Sequence, residues 1–239
     1  MKQDQTKSFW ILGIAIVIGL ASLGFIIGNA AIKFKEYERT VTVKGLAEQE
    51  HVADIVIWPI QFTEASNSLE NIYSKLEQSS AKIIEFLKNN GINAVEISLD
   101  IPQVTDKFAQ QYGGNDRSEF RYVANQIVTV YSSEVEKVRS IMNKTGELGK
   151  QGVALTGQNY QFQTQYLFTR LNEIKPGMIE QATIEARAVA EKFAEDSNSK
   201  LGKIKTAYQG QFSISSRDQN NPHIKNVRVV STVIYYLSD

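Results

Sequence analysis

The chain of 239 residues contains no cysteine, which excludes disulfides, zinc–thiolate sites, iron–sulfur clusters and thiol catalysis. It has four prolines and 15 glycines without biased tracts, so no long disordered region is predicted. It also lacks net charge, because 26 basic residues balance 26 acidic ones. A neutral domain has no field to gather phosphate groups, which argues against nucleic acid as a main partner.

The chain does contain one long apolar run near its start. Residues 9–32 hold no charged side chain, and only Ser22 and Asn29 are polar. At about 1.5 Å of rise per residue, a helix of this length spans a hydrocarbon core of about 30 Å. The run is longer than the apolar core of a secretory signal, although residues 28–30 fit a weak cleavage site. We therefore expect an uncleaved transmembrane signal anchor, with a cleaved signal as the alternative.

Small residues recur within this run at a spacing of four. Ala15 and Gly19 form one pair, and Gly24 and Gly28 form a GxxxG motif. Such a motif lets membrane helices approach closely. We predict that anchors of neighbouring copies pack through these four positions. The alternative is that glycine and alanine are simply common in membrane helices.

Positive charges near the anchor do not place the rest of the chain outside the cell. Lys2 and Lys7 precede the run, whereas Lys33, Lys35 and Arg39 follow it closely. Positive residues favour the cytoplasmic side, so this count slightly favours the inside.

The pattern divides the chain into a short tail (1–8), the anchor (9–32), a linker (33–38) and one globular domain (39–239). Capping boxes at Asn67 and Ser133 and a first-turn proline at Pro176 predict three helices. Pro59 predicts a sheet edge or a bulge in the second strand. The order ββαββα-β-αββ predicts an α+β domain with helices packed on a largely antiparallel sheet. The predicted strands are 39–46, 53–62, 95–104, 121–131, 160–168, 203–212 and 227–237.

No motif indicates catalysis, a cofactor or a metal. His51 and His223 have no second metal ligand at helical or hairpin spacing. We therefore interpret each of them as a structural or surface residue. Neither a Gly-x-Ser-x-Gly elbow nor a phosphate-binding loop is present. Asp100, Asp106 and Glu119 are the best carboxylate grouping, and we interpret them as a solvated edge. We therefore predict no catalytic, cofactor-binding or metal residue and a protein that is not an enzyme.

A small basic and aromatic cluster lies towards the end of the chain. Lys200, Lys203 and Lys205 occur near Tyr208 and Phe212. We interpret the cluster as a solvated strand face. Contact with anionic lipid is the alternative.

Several segments follow one another in a recognisable order and spacing. They are VTVKG (41–45), ADIV (53–56), GI and VEI (91–97), YVANQIVTV (122–130), LG to QF (148–162), and a helix with Ala182, Ala186, Arg187, Ala190 and Ala194 before Leu201-Gly202. Together they cover residues 39–238 and resemble the SIMPL domain family, also called domain of unknown function 541. Trp58-Pro59, which interrupts the second strand, and residues 197–200, which extend the exit of the last helix, depart from the pattern.

The resemblance implies a bacterial envelope or periplasmic protein that carries a signal or an anchor. It also implies ring-like or channel-like homo-oligomers and a link to tolerance of oxidative stress. It supplies no catalytic residues. We expect a single-pass protein of the bacterial inner membrane with its globular domain outside, whose partners are its own copies and the bilayer. Candidate contact surfaces are the 108–118 loop, the 213–226 loop and the strand near Pro59.

Two other functions compete with this expectation. The domain is alternatively an extracytoplasmic binding module for a lipid or small envelope ligand, with aromatic strands lining a cavity. A hydrolase is the third reading, and it requires a perturbed carboxylate pair or histidine in a cleft.

Overall fold

The computed structural model describes residues 2–36, 39–109, 119–157 and 162–238. Within these ranges the chain is α+β, as predicted. Its elements are α1 (Lys2–Glu36), β1 (Thr40–Val52), β2 (Ile55–Ser66), α2 (Leu69–Asn89), a 3₁₀ turn (Ala94–Glu96), β3 (Ile97–Leu99), β4 (Gln103–Asp106), β5 (Tyr122–Ser132), α3 (Val135–Met142), α4 (Gly146–Lys150), β6 (Gln165–Leu167), α5 (Leu171–Asp196), β7 (Lys200–Gln209), β8 (Ser213–Ser216) and β9 (Ile224–Ser238).

The strands form two sheets. The first has the order β1-β9-β7, and β8 also pairs with β9. The second has the order β3-β5-β2-β6, and β4 also pairs with β5. The chain divides into two compact units. Unit 1 is Met1–Glu48, Lys175–Ser213 and Arg228–Asp239, and unit 2 is Gln49–Ile174 and Ile214–Val227.

The helix α1 contains the predicted apolar run and extends beyond it. Its segment Gly13–Lys35 is long and apolar enough to cross a membrane, and none of it is buried by the rest of the chain. A signal sequence has the same properties. The helix therefore has the length and composition of a membrane anchor or of a signal sequence, as the sequence indicates.

The core of unit 2 forms where α2 covers the pair of β2 and β5. These strands are antiparallel and keep one register from Val56 opposite Ser132 to Ser66 opposite Tyr122. Side chains from alternate positions of both strands meet the helix, which follows from the two-residue period of a strand and the 3.6-residue period of a helix. The largest fully buried members are Phe62, Ile72, Ile83, Leu87, Ile141 and Leu148.

Pro59 does not interrupt β2, and of the edge or bulge predicted there the structure shows a local edge. Its register with Thr129 is unbroken and contains no bulge. The backbone N–H of Thr63 donates to Ala154 on the side away from β5. Because backbone groups along a strand alternate in direction, the nitrogen of Pro59 also faces away from β5. β6 pairs only with Ile55–Ile57 on that side, so the proline removes no ladder hydrogen bond.

Unit 1 is built by α5 lying directly on β1 and β9. Alanines of α5 are fully buried at Ala182, Ala186 and Ala190. A Cβ atom added to Gly45 of β1 would overlap the carbonyl oxygen of Ala182 and lie 2.5 Å from the nitrogen of Ala186. Glycine in the strand and alanine in the helix are therefore what allow the two backbones to touch.

Helix boundaries differ from the prediction at three starts. Ser68, not Asn67, caps α2, because its side chain accepts from the N–H of Asn71 at 3.4 Å. The predicted capping box at Ser133 is absent: α3 has Glu134 at its N-cap and no side-chain cap bond. Pro176 lies inside α5, which begins five residues earlier at Leu171.

The exit of α5 is a tight turn formed by residues 197–199, between Asp196 and the start of β7 at Lys200. Asn198 adopts φ 51°, and the N–H of Ser199 donates to the carbonyl of Ala194 at 2.8 Å. This pattern is a Schellman motif with asparagine in the left-handed position, and it stops the helix within one turn.

Three predicted strands are divided or shortened. The 95–104 segment splits into the 3₁₀ turn, β3 and the start of β4. Of the 160–168 segment only β6 is a strand, and residues 160 and 161 lie outside the described part. The loop predicted at 213–226 contains β8 and the start of β9, whereas residues 110–118 of the loop predicted at 108–118 are not described.

Candidate functional site

The main titratable cluster of unit 2 surrounds His223. Its side chain is 6 % exposed, and its Nδ1 has no hydrogen-bond partner among the described residues. Its Nε2 lies 3.9 Å from Oε1 of Glu136, which is too long for a hydrogen bond. Burial first, and then the charge of Arg139, lower the pKa of His223. The imidazole is therefore held neutral at physiological pH.

Tyr166 of β6 packs edge-on to this histidine, with ring centroids 6.0 Å apart. Burial raises the pKa of its phenol, whose O–H points to the sulfur of Met142 at 3.8 Å. A groove of about 330 Å³ runs over the tyrosine, and Glu136, Arg139, Ser140 and Asn143 line it with these two side chains. Sequence reasoning missed this cluster because its members come from α3, β6 and the segment before β9, and no spacing rule joins them.

The two charged side chains that line this groove are paired with each other. Glu136 and Arg139 are bonded to each other at 3.0 Å, so the two charges that line the groove neutralise one another. No nucleophile lies within hydrogen-bond reach of His223 in the described ranges, as general-base catalysis requires. No group of three histidine or carboxylate side chains in the described part could hold a metal.

The carboxylates singled out in the sequence do not form an acid–base pair. Asp106 accepts three hydrogen bonds from Arg121, the shortest 2.8 Å, and these hold the pKa of that carboxyl below its usual range. Asp100 accepts from the N–H of Ile101 at 2.8 Å, which is a local turn contact. The carbonyl of Glu119 accepts from Asn67. Asp106 therefore acts as a structural anion in this position.

A groove in unit 1 is apolar at its base. It has a volume of about 450 Å³ and lies between α5 and β7. Ile184 and Ile204 are 59 % and 48 % exposed there, beside the buried Tyr235. Lys203 adds positive charge at its rim, where Arg187 is paired with Glu191 at 2.9 Å. The arrangement suits an apolar ligand with an anionic end.

The basic cluster of β7 differs from the sequence expectation in its aromatic partner. Lys205 places its Nζ 5.4 Å from the ring centroid of Tyr236 in β9. Tyr208 lies opposite Thr232, four residues away along β9. Phe212 has Lys175 over its ring at 6.0 Å instead of a β7 lysine. The tyrosine that contacts Lys205 is therefore Tyr236, which lies far from it in the sequence.

The four positions predicted for anchor packing lie on α1. Ala15, Gly19, Gly24 and Gly28 are all exposed. A Cβ added at any of the three glycines would have no described heavy atom within 4 Å. Packing between anchors stays a prediction.

These features belong to a defined family. Residues 41–231 match the family SIMPL, described as a protein of unknown function (DUF541). The match covers most of the chain, so the chain belongs to this family. No curated protein matches the chain. Gly45, Ala182 and Ala186, which carry the resemblance in the sequence, are the residues that join α5 to β1.

Proposed function

We propose that this SIMPL-family protein is a non-enzymatic, membrane-anchored protein of the bacterial envelope whose extracytoplasmic domain assembles with copies of itself. The observation that carries the proposal is α1, whose apolar segment Gly13–Lys35 has no contact that buries it. An apolar surface of this size in water is unstable, so the helix needs lipid or other helices around it. In the proposal, α1 lies in the inner membrane and is surrounded both by lipid and by the α1 helices of other copies.

The open small-residue face of α1 supports assembly through the anchor. Gly24 and Gly28 are one turn apart, and no described atom fills the space beside them. Without side chains at these positions, a second helix can bring its backbone into van der Waals contact.

An apolar sheet edge in unit 2 supports assembly through the globular domain. Val95 and Ile101 are 94 % and 81 % exposed and flank β3, whose Leu99 is 47 % exposed. β3 has β5 on one side and no described strand on the other. An open edge with apolar neighbours favours pairing with another chain.

The oligomeric state of the full chain in detergent tests the proposal. We expect an oligomer by light scattering, and Gly24→Leu with Gly28→Leu should lower its mass. The matched control is Ser22→Leu with Ala30→Leu, which adds bulk about 120–160° around the helix from the glycines, at 100° per residue. A monomeric wild-type chain would contradict assembly, and an equal effect of both pairs would remove the glycine face from it.

Two further parts of the proposal have their own tests. Digestion of the globular domain by protease added to spheroplasts is expected for an extracytoplasmic domain, and protection until lysis contradicts it. A role in tolerance of oxidants predicts that cells without the protein grow more slowly in peroxide than cells complemented with it.

A binding module is the second candidate, and the groove of about 450 Å³ in unit 1 favours it. Its volume lies in the range of about 300–1,000 Å³ that is typical of ligand sites. Ile184→Lys would place a charge in this groove, and it should abolish binding of a fatty-acid probe without changing the oligomeric state. Equal binding by wild type and variant would exclude the groove.

A further inference from the structure

We propose that Lys203 and Lys205 of β7 bind the anionic headgroups of the bilayer that α1 crosses. The inference rests on the anchoring role given to α1 above and adds a second membrane contact, made by the folded domain. The sequence left two interpretations of this basic cluster, a solvated strand face and contact with anionic lipid. The inference chooses contact with anionic lipid.

The first argument is the short connection between α1 and β1. The last apolar residue of the run is Ile32, and α1 ends four residues later at Glu36. Four helical residues rise about 6 Å, which is close to the headgroup layer of about 5–7 Å on each side of the hydrocarbon core. Three more residues reach Arg39, a span of about 11 Å at most. The start of β1 therefore lies within about one Debye length of the headgroup surface.

The second argument is that β7 begins at the same end of the sheet as β1. The N–H of Leu237 donates to the carbonyl of Arg39 at 2.9 Å, and Leu237 lies opposite Leu201 of β7. The guanidinium of Arg39 also donates to Ser199, one residue before β7, at 3.3 Å. Since neighbouring strands are about 4.8 Å apart, the first residues of β7 lie about 10 Å from β1.

The third argument is that the two lysines are exposed and have no acidic partner among the described residues. Lys203 and Lys205 are exposed, and neither forms an ion pair with a carboxylate of the described residues. The register of β7 shifts on both sides of Ile204. Lys205 extends over the ring of Tyr236, which is 37 % exposed. A tyrosine beside lysines is the combination found where proteins meet the membrane interface.

The acidic residues closest before β7 do not cancel these charges. Glu195 and Asp196 are both bonded to Lys192, at 3.1 Å and 3.0 Å. Residues 200–205 contain three lysines and no acid. This segment of β7 is therefore positive although the whole chain is neutral.

The expected strength follows from the number of lysines. Each basic residue close to an anionic surface strengthens association about fivefold, so Lys203 and Lys205 together contribute about 25-fold at low salt. An effect of this size enriches anionic lipids around the protein. It does not give tight binding of a single lipid molecule.

Lysine footprinting on the wild-type full chain tests the inference. The protein is reconstituted in vesicles of phosphatidylcholine, with or without phosphatidylglycerol, and its amines are acetylated and identified by mass spectrometry. We expect Lys203 and Lys205 to react at least fivefold more slowly in the phosphatidylglycerol vesicles. Raising the salt from about 0.1 M to about 1 M shortens the Debye length from about 10 Å to about 3 Å and should restore the rate. Lys88 and Lys150, exposed on unit 2, serve as reference amines.

The controls separate the inference from anchoring. Vesicles are first floated through a gradient after an alkaline wash, and protein that does not float contradicts the anchor itself. Protein that floats but shows equal rates for Lys203 and Lys205 in both lipids overturns the headgroup contact alone. Equal protection by soluble glycerol phosphate with phosphatidylcholine vesicles would identify a free phosphate ligand and also overturn it. Lys203→Glu with Lys205→Glu should abolish enrichment of labelled phosphatidylglycerol around the protein, whereas Lys88→Glu with Lys150→Glu should not.

Discussion

Gly45→Ala is the change that most directly tests how unit 1 is held together. The added Cβ would overlap the carbonyl of Ala182 and lie 2.5 Å from the nitrogen of Ala186. Both are backbone atoms of α5, so no side-chain rotation relieves the overlap. The helix must move away from the sheet, and this loosens the apolar cluster that Val43 shares with Val233 and Tyr235.

The size of the effect follows from known overpacking. Inserting a methyl group into a packed site costs about 1–3 kcal/mol, and contact with rigid backbone places this site at the upper end. Alanine recovers up to about 1 kcal/mol through its lower entropy cost relative to glycine. The net loss of unfolding free energy is therefore about 2–3 kcal/mol, which lowers Tm by about 5–10 °C in a domain of this size.

Thermal unfolding of the full chain in detergent, followed by circular dichroism, measures this loss. Amide hydrogen exchange of β1 and β9 peptides should show that the loss lies in unit 1. The matched control is Gly177→Ala in the same helix, where a Cβ meets no described atom within 4 Å. It should leave Tm unchanged or raise it. Ala186→Gly should not rescue Gly45→Ala, because the overlap involves the backbone. A Gly45→Ala protein as stable as the wild type would refute the reasoning.

The remaining predictions concern two polar groups of unit 2. Asp54 is partly buried, which raises its pKa, but bonds from the hydroxyl and N–H of Thr169 at 2.7 Å and 2.8 Å outweigh this and lower it. Such a carboxylate stabilises the fold above its unfolded pKa near 3.8. Thr169→Val should therefore cost about 1–2 kcal/mol in urea unfolding at neutral pH, Thr169→Ser should cost less, and the difference should shrink below pH 3.8. A loss independent of pH would contradict this. His223 has a pKa below its usual 6.5, so the unfolded chain takes up the proton first and stability falls as pH drops below 6.5. His223→Gln should flatten that part of the stability profile, and an unchanged acid slope would show that other groups cause it.

The sequence predicted the parts of the fold that depend on local periodicity. β5 and the C-cap of α2 were found because alternation and an Asn-Gly signal are local. Gly91 there adopts φ 90° and closes α2, as predicted. The alanine stripe of α5 was also found. The alanines of α5 pack directly against Gly45 of β1.

Errors arose where tertiary contacts override local signals. Leu69 and Tyr73 have helical spacing but are about half exposed. Ser79 is a polar residue in α2 and yet is buried, and its hydroxyl donates to Glu64 of β2 at 2.6 Å. The helical spacing of Phe193 with Ala190 predicts an inward side chain, but Phe193 is 55 % exposed. The spacing of residues along a helix alone could not decide which of these side chains is covered by another element.

The surroundings of His223 could not be predicted from the sequence for the same reason. Its neighbours Tyr166 and Glu136 come from distant segments, and only the folded chain brings them together.

The position of β9 in its sheet has a consequence for how the chain folds. β9 follows both β1 and β7 along the chain, yet it lies between them and is the partner of both. β1 therefore cannot pair with β9 until residues 224–238 have been made, which makes the folding of unit 1 slow and non-local. Most of unit 2 precedes β9 and has its central β2–β5 pair complete much earlier. A chain truncated before Ile224 would keep that pair and lose the entire β1-β9-β7 ladder at once.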